Sequence, residues 1–324
     1  MTRLIDWHAH ILPAELLEAL EARDAPPFVA PAADGGRGLV TRKNAQALSS
    51  APSLVSADLR IAELDAAGID VQVLSVPGMM GVDTAPREVV EDLVVRTNLG
   101  LSRIVGAHPG RFRALASVPL YDPELAARVL AHAIDELGHV GAILPVDAFL
   151  TPEAGARFAS LLAVAHDRKA HIFVHPGPLP DAPPKPSPTT PLERMREGVT
   201  GIQNGLTEAA ITLEFSGLLD AYPDVVVQVA NLGGALAYYQ GRWAHTEQRL
   251  FPDRPSWDGK LQRILVDTGS LGARAISFAA EVFGADRLLF GTDAPIYSQS
   301  QGADAFRAAL GAARALQRRE AVDA

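Results

Sequence analysis

The sequence predicts a (β/α)8 barrel of the TIM type, built as one domain over residues 1–324. Three observations predict it. The length suits a single α/β barrel. Short apolar runs rich in β-branched residues alternate with amphipathic helical stretches, the pattern of repeated βα units around a parallel sheet. About eight such runs occur, the number a closed barrel needs.

The first run, residues 3–7, leads into Asp6-Trp7-His8-Ala9-His10. An insertion over 24–52, rich in Ala, Gly and Pro and carrying Arg37, Arg42 and Lys43, separates it from a helix expected between Ser56 and Gly68. Strands are then expected at 70–76 and 112–118. The helix after the latter has readable ends: Asp122 as N-cap, Pro123 at the first helical position, Glu124 beside the positive dipole end and Gly138 as the stop. The fourth run, 140–146, is followed by the same grammar in Thr151-Pro152-Glu153. The fifth, 170–174, precedes residues 176–191, so dense in proline that neither helix nor strand persists there. Runs at 225–230, 264–266 and 288–290 complete the barrel. Both irregular segments leave its C-terminal face, where barrel enzymes keep their active sites. Each is therefore a lid or substrate wall, or else a solvent loop or oligomer contact.

Composition narrows the function. Hydrophobic residues make up 48% of the chain and aromatics 6%, which suits a core of aliphatic layers. A net charge of −9 without a Lys/Arg cluster argues against a nucleic-acid partner and for a small-molecule one. No cysteine is present, so disulfides, thiolate metal sites and a cysteine nucleophile are excluded together. No signal-type segment opens the chain and no run reaches about 18 uninterrupted apolar residues, so a soluble, cytoplasmic protein without membrane contact is expected.

The chemistry gathers at strand ends. In extended chain residues i and i+2 point the same way, so His8 and His10 can offer imidazole nitrogens to one ion. The apolar run Ile172-Phe173-Val174 ends in His175, and Leu288-Leu289-Phe290-Gly291-Thr292 ends in Asp293. Either residue alone is an ordinary strand end. Three imidazoles and one carboxylate from three strand ends form a donor set suited to a borderline divalent ion.

With these residues the chain resembles the amidohydrolase superfamily, in the amidohydrolase-related branch typified by 2-amino-3-carboxymuconate-6-semialdehyde decarboxylase. IDWHAHILP at 5–13, RIAELDAAGIDVQVLS at 60–75, PGRFRALASVPLYD at 109–122, FVHP at 173–176, SGLLDAYPD at 216–224 and GADRLLFGTDAP at 284–295 carry the resemblance, which covers nearly the whole chain. It implies one divalent ion, commonly zinc and in some relatives manganese, on His8, His10, His175 and Asp293. It implies a small carboxylated substrate and a homodimer, with Arg242 reaching the neighbouring subunit's substrate; otherwise Arg242 is a helix-surface arginine. Arg42 and Lys43 are weaker anion-binding candidates.

One departure bears on mechanism. Where the branch places a proton-carrying histidine before paired glycines, this chain reads Asn231-Leu232-Gly233-Gly234. An amide cannot shuttle a proton near neutral pH. Asp293 then does the acid–base work alone, or Asp267, Asp147 or His245 contributes, Asp267 being equally a capping or supporting residue. His108, His132, His139, His166 and His171 read as packing or solvent residues. Non-oxidative decarboxylation of a small aromatic or unsaturated acid is the expected reaction. Asn231 keeps open hydrolysis of a lactone or amide, hydration of a double bond, and a non-catalytic barrel that binds metal or ligand.

Overall fold

The computed structural model describes residues 3–31, 36–41, 45–47, 52–183 and 188–310; Arg42 and Lys43 lie outside them. Eight parallel strands follow one another in chain order: β1 (Ile5–His10), β2 (Val71–Ser75), β3 (Phe112–Ala116), β4 (Gly141–Pro145), β5 (His171–His175), β6 (Val226–Val229), β7 (Ile264–Asp267) and β8 (Leu288–Leu289). The ring closes through the backbone, as Trp7 N donates to Phe290 O (2.8 Å), Asp293 N to His8 O (2.7 Å) and His10 N to Ala294 O (2.7 Å). Closure therefore fastens the segment bearing Asp293 directly to the strand bearing both N-terminal histidines.

The expected helix grammar holds. Ser56 accepts from Leu59 N and Gly68 takes a left-handed φ of 65° at the other end of helix Ala57–Ala67. Asp122 caps Pro123–Asp135, and Thr151 caps Pro152–Ala156. Each cap satisfies an N–H that the first turn leaves without a carbonyl. β2, β4 and β5 are buried along their whole length, which is why β4 and the centre of β5 read as continuous apolar runs rather than alternating ones.

Two expectations change. The first strand runs to His10 instead of ending at Trp7, and it carries a bulge: Asp6 pairs with Gln72 and Ala9 with Leu74, so one extra residue lies on β1. The insertion over 24–52 is not wholly irregular, because Phe28–Pro31, Arg37–Val40 and Ala45–Ala47 form an antiparallel three-stranded sheet. Its Val29 and Leu39 are buried with Leu16, Leu20, Met80, Val90 and Leu93. That shared cluster packs the described strands of the insertion against helices Ala14–Glu21 and Arg87–Ala107. After the proline-dense stretch, helix Pro191–Met195 starts with a capping box between Thr190 and Glu193.

No helix among the described residues is long and apolar enough to cross a membrane. One buried group works against stability. Asp83 follows β2 in a buried loop, and burial pushes its carboxyl up to about 7 although the N–H groups of Asp83 and Thr84 favour the charge. A folded value above the unfolded one, about 3.9, means that the native state holds the proton longer. Stability from this group is thus full below about pH 4 and lost as pH rises through about 7. Asp83→Asn is expected to stabilise the fold at pH 8.5 by on the order of a few kcal/mol, read as a higher melting temperature, and to change it little at pH 4.5. A gain that does not vary with pH would contradict the assignment.

Candidate metal centre

The four predicted ligands meet at the C-terminal mouth. His8 projects from the bulge of β1 and His10 from the end of that strand, His175 ends β5, and Asp293 follows β8. One ligand atom from each of the four lies within 4.8 Å of all the others. Asp293 Oδ1 stands 3.3 Å from His8 Nε2 and 3.3 Å from His10 Nε2. Asp293 adopts a left-handed φ of 61°, rare for a residue other than glycine, and its N–H is tied to His8 O. The backbone turn aims the carboxylate at the histidines instead of along the strand.

Each imidazole has its Nδ1 side occupied by the protein. His8 Nδ1 faces Asp267 Oδ1 at 2.9 Å, His10 Nδ1 faces Ser75 Oγ at 3.1 Å, and His175 Nδ1 faces Pro176 O at 3.0 Å. A proton on Nδ1 answers the oxygen in each case and leaves the Nε2 lone pair for a metal, as such outer contacts do. His8 Nε2 and His10 Nε2 are buried and make no hydrogen bond. Orphaned buried nitrogens that converge with a carboxylate are what a cation site requires, and three imidazoles with one hard oxygen fit zinc or manganese.

The electrostatics agree. Burial raises the Asp293 carboxyl, but the His8 and His10 imidazoles, each 3.3 Å from its Oδ1, outweigh it and hold the group well below the ordinary carboxylate range. Burial lowers His8, yet Asp267 and Asp293 more than reverse this and raise it well above its usual value. His175 is driven well down, by burial first and then by His10 and His8, and burial also lowers His10. Two carboxylates thus make the cluster receptive to positive charge while three crowded imidazoles resist sharing protons.

Asp267, at the end of β7, supports the centre from behind. Its Oδ1 accepts from His8 Nδ1 (2.9 Å), Gly269 N (2.9 Å) and Asn231 N (3.2 Å), and its Oδ2 accepts from Gln228 Nε2 (2.6 Å). With every contact spent on neighbours, it holds His8 in place. Asn231 sits beside it at a φ of 52°, with Nδ2 donating to Ser270 Oγ (2.8 Å) and Oδ1 buried without a partner. The position expected to carry a histidine therefore presents an acceptor.

The other sequence candidates are not among the four clustered residues. Asp147 falls in the short helical turn Val146–Phe149 after β4. Arg242 and His245 are exposed on helix Leu236–Leu250. His171 is a packing residue inside the barrel, stacked on Trp7 at 4.5 Å and bonded to Gln228 Oε1 at 2.7 Å. Ser75 escaped the sequence reading, its one local sign being a polar residue that ends the run VQVLS.

Close packing makes the centre sensitive to a methyl group. A Cβ on Gly269 would lie 2.4 Å from His8 Nδ1 and 2.9 Å from Asp267 Oδ1. Gly269→Ala is expected to push His8 off its carboxylate and weaken zinc binding at least about tenfold in a chelator competition, the scale seen when an outer contact is lost. Wild-type affinity in that variant would show that His8 does not depend on this geometry.

The amidohydrolase family model matches residues 5–322. Gamma-resorcylate decarboxylase of Polaromonas sp. is 29% identical over 277 residues, covering 77% of this chain and 80% of the relative. The 2-amino-3-carboxymuconate-6-semialdehyde decarboxylase of Dictyostelium discoideum is 25% identical over 248 residues, 74% of this chain and 66% of the relative. Among solved structures, dihydroxybenzoic acid decarboxylase from Polaromonas sp., crystallised with manganese and the inhibitor 2-nitroresorcinol, superposes with a TM-score of 0.67 at 22% identity, covering 100% of this chain and 94% of that one.

Proposed function

Because the chain belongs to the amidohydrolase family, we propose that it is a metal-dependent decarboxylase of a small aromatic or unsaturated carboxylic acid. The observation that carries this reading is the convergence of the His8, His10 and His175 imidazoles with Asp293, each Nδ1 being held by the protein. The decarboxylase names of its relatives give the reaction class.

A divalent ion on these four residues, zinc or manganese, would act as a Lewis acid toward the substrate's oxygens. The chain's residues do the rest. Asp293, kept ionised by its histidines, takes the proton of a substrate hydroxyl and passes it to the carbon bearing the carboxylate. A C–H bond forms there, the C–C bond breaks, its electron pair stays with the substrate and carbon dioxide leaves. The remaining oxyanion regains a proton from solvent, so no oxidant or nicotinamide is consumed. Asn231 Oδ1 accepts a hydroxyl or amine hydrogen of the substrate and moves no proton.

Arg242 is exposed on a helix that also presents Tyr238 at 77% exposure, and Leu192, Met195 and Val199 form another exposed apolar stripe. These faces support a homodimer in which Arg242 of one subunit binds the substrate carboxylate of the other. A cytoplasmic location belongs to the same reading. The second reading, metal-assisted hydrolysis or hydration, is favoured by Asn231 alone.

The test is metal removal. Protein stripped by a chelator and assayed anaerobically with 2,6-dihydroxybenzoate and related acids is expected to release no carbon dioxide, and to recover on adding zinc or manganese. Turnover by demonstrably metal-free protein would overturn the proposal; metal-restored cleavage of a lactone or amide without carbon dioxide would favour the second reading.

A further inference from the structure

Arg60, on helix Ala57–Ala67 outside the barrel, is completely buried, as are Gln72 on β2 and Asp6 on β1. A cation and an anion inside a core demand partners, and here one neutral amide lies between them. Arg60 Nη1 donates to Gln72 Oε1 (2.9 Å), and Gln72 Nε2 donates to Asp6 Oδ2 (2.7 Å). Arginine only donates and carboxylate only accepts, so the orientation of the amide between them is fixed.

Both ends of this chain of bonds grip the backbone of the ligand segments. Arg60 Nη2 donates to His10 O (2.8 Å) and to Ser53 O (2.8 Å). Asp6 Oδ1 accepts from His8 N (3.1 Å) and Thr292 N (2.9 Å), while Oδ2 accepts from Thr292 Oγ1 (2.6 Å). His8 lies in the bulge of β1, where the extra residue disturbs regular pairing and a side chain must satisfy its N–H. Thr292 immediately precedes Asp293. Arg60 and Asp6, joined through Gln72, thus reach the backbone at or next to three of the four ligands.

We propose that Arg60, Gln72 and Asp6 form a positioning relay that sets the spacing of His8, His10 and Asp293, and so the affinity of the centre for its ion. This rests on the reading of the four-residue cluster as a metal site. None of the three touches substrate or ion; they act through the backbone of the ligands.

The relay's donor–acceptor polarity supplies a swap test. In Asp6→Asn the new NH2 must face either two backbone N–H groups or the Gln72 amide. In Gln72→Glu two buried carboxylates face each other. The double variant, Asp6→Asn with Gln72→Glu, reverses the central bond: the new amide on β1 donates to the new carboxylate on β2. That carboxylate still accepts from Arg60, the oxygen of the new amide keeps the N–H groups of His8 and Thr292, and the second N–H of the new amide faces Thr292 Oγ1, which keeps its contact by turning from donor to acceptor. Zinc affinity is measured by competition with a chromophoric chelator on the full chain, at a temperature where each metal-free protein remains folded.

Each single variant is expected to bind zinc about 10–100-fold more weakly, the scale of outer-contact losses, and the double variant to return to within about threefold of wild type. A merely structural role would lower metal-free melting temperatures but leave zinc affinity unchanged. Equal affinity in the single variants, or a double variant no better than the weaker single, overturns the relay. If a single variant does not fold, Thr292→Val, which removes the Oγ1 bond to Asp6 together with the longer bond that Oγ1 accepts from Ala294 N (3.2 Å), is expected to weaken zinc about threefold or more; unchanged affinity there overturns the relay as well. Failure of the wild-type chain to bind zinc or manganese at all would instead bring down the metal-site reading.

Discussion

Asp293→Asn will lower kcat for decarboxylation about 10³-fold while leaving KM within a few-fold of wild type. The substitution keeps the size of the side chain and one oxygen that can still face His8 and His10, each now 3.3 Å from Asp293 Oδ1. What disappears is a group able to take up and release a proton. Positioned acid–base groups contribute about 10²–10⁴-fold, and no histidine stands at Asn231 to share the work. Loss of a negative charge also weakens the hold on a divalent ion, so the assay is run with saturating zinc or manganese and the bound metal is counted. Activity within tenfold of wild type in a fully loaded variant would remove Asp293 from proton transfer.

Asp267→Asn will cost both metal affinity and stability, although it touches neither ion nor substrate. One oxygen of Asp267 serves His8 Nδ1, Gly269 N and Asn231 N, and the other serves Gln228 Nε2. An NH2 group at the first position faces three donors. At the second it faces an amide whose own oxygen is committed to His171. Either way buried donors lose their acceptor, at about 1–3 kcal/mol for each group left unsatisfied. The His8 ring loses the partner that fixes its tautomer, so zinc affinity is expected to fall about 10–100-fold. Zinc titration and thermal melting check the two effects separately; unchanged zinc affinity would reduce Asp267 to a strand cap.

What could be read in advance divides along a physical line. Local chemistry was legible. Ser56, Asp122 and Thr151 announce helices because an N-cap bond spans three residues. His175 and Asp293 were visible because an apolar run that stops at a histidine or aspartate places that side chain at the mouth of a parallel barrel, and His8 and His10 because residues i and i+2 of a strand share a face. Pairings across the fold were not legible. Ser75 meets His10 from 65 residues away, and Arg60 reaches the His10 carbonyl from 50; nothing local marks either. Arg60 in sequence looks like any helix-surface arginine. The insertion sheet escaped notice because its strands are short, with Pro31 and Gly38 breaking the alternation that marks a half-buried strand. The β1 bulge, supported by contacts from Gln72 and Thr292, likewise moved a boundary that periodicity alone set too early.

On the proposed function, His8, His10, His175 and Asp293 hold one divalent ion on which the chemistry depends. Anomalous diffraction from crystals of the zinc- or manganese-loaded protein tests it most directly. A single strong peak is expected, bonded to Nε2 of all three histidines and to the Asp293 carboxylate, with Asp267, Ser75 and the Pro176 carbonyl still on the Nδ1 side. An ion bound through Nδ1, or a peak elsewhere with these four residues bonded only to one another, would contradict it.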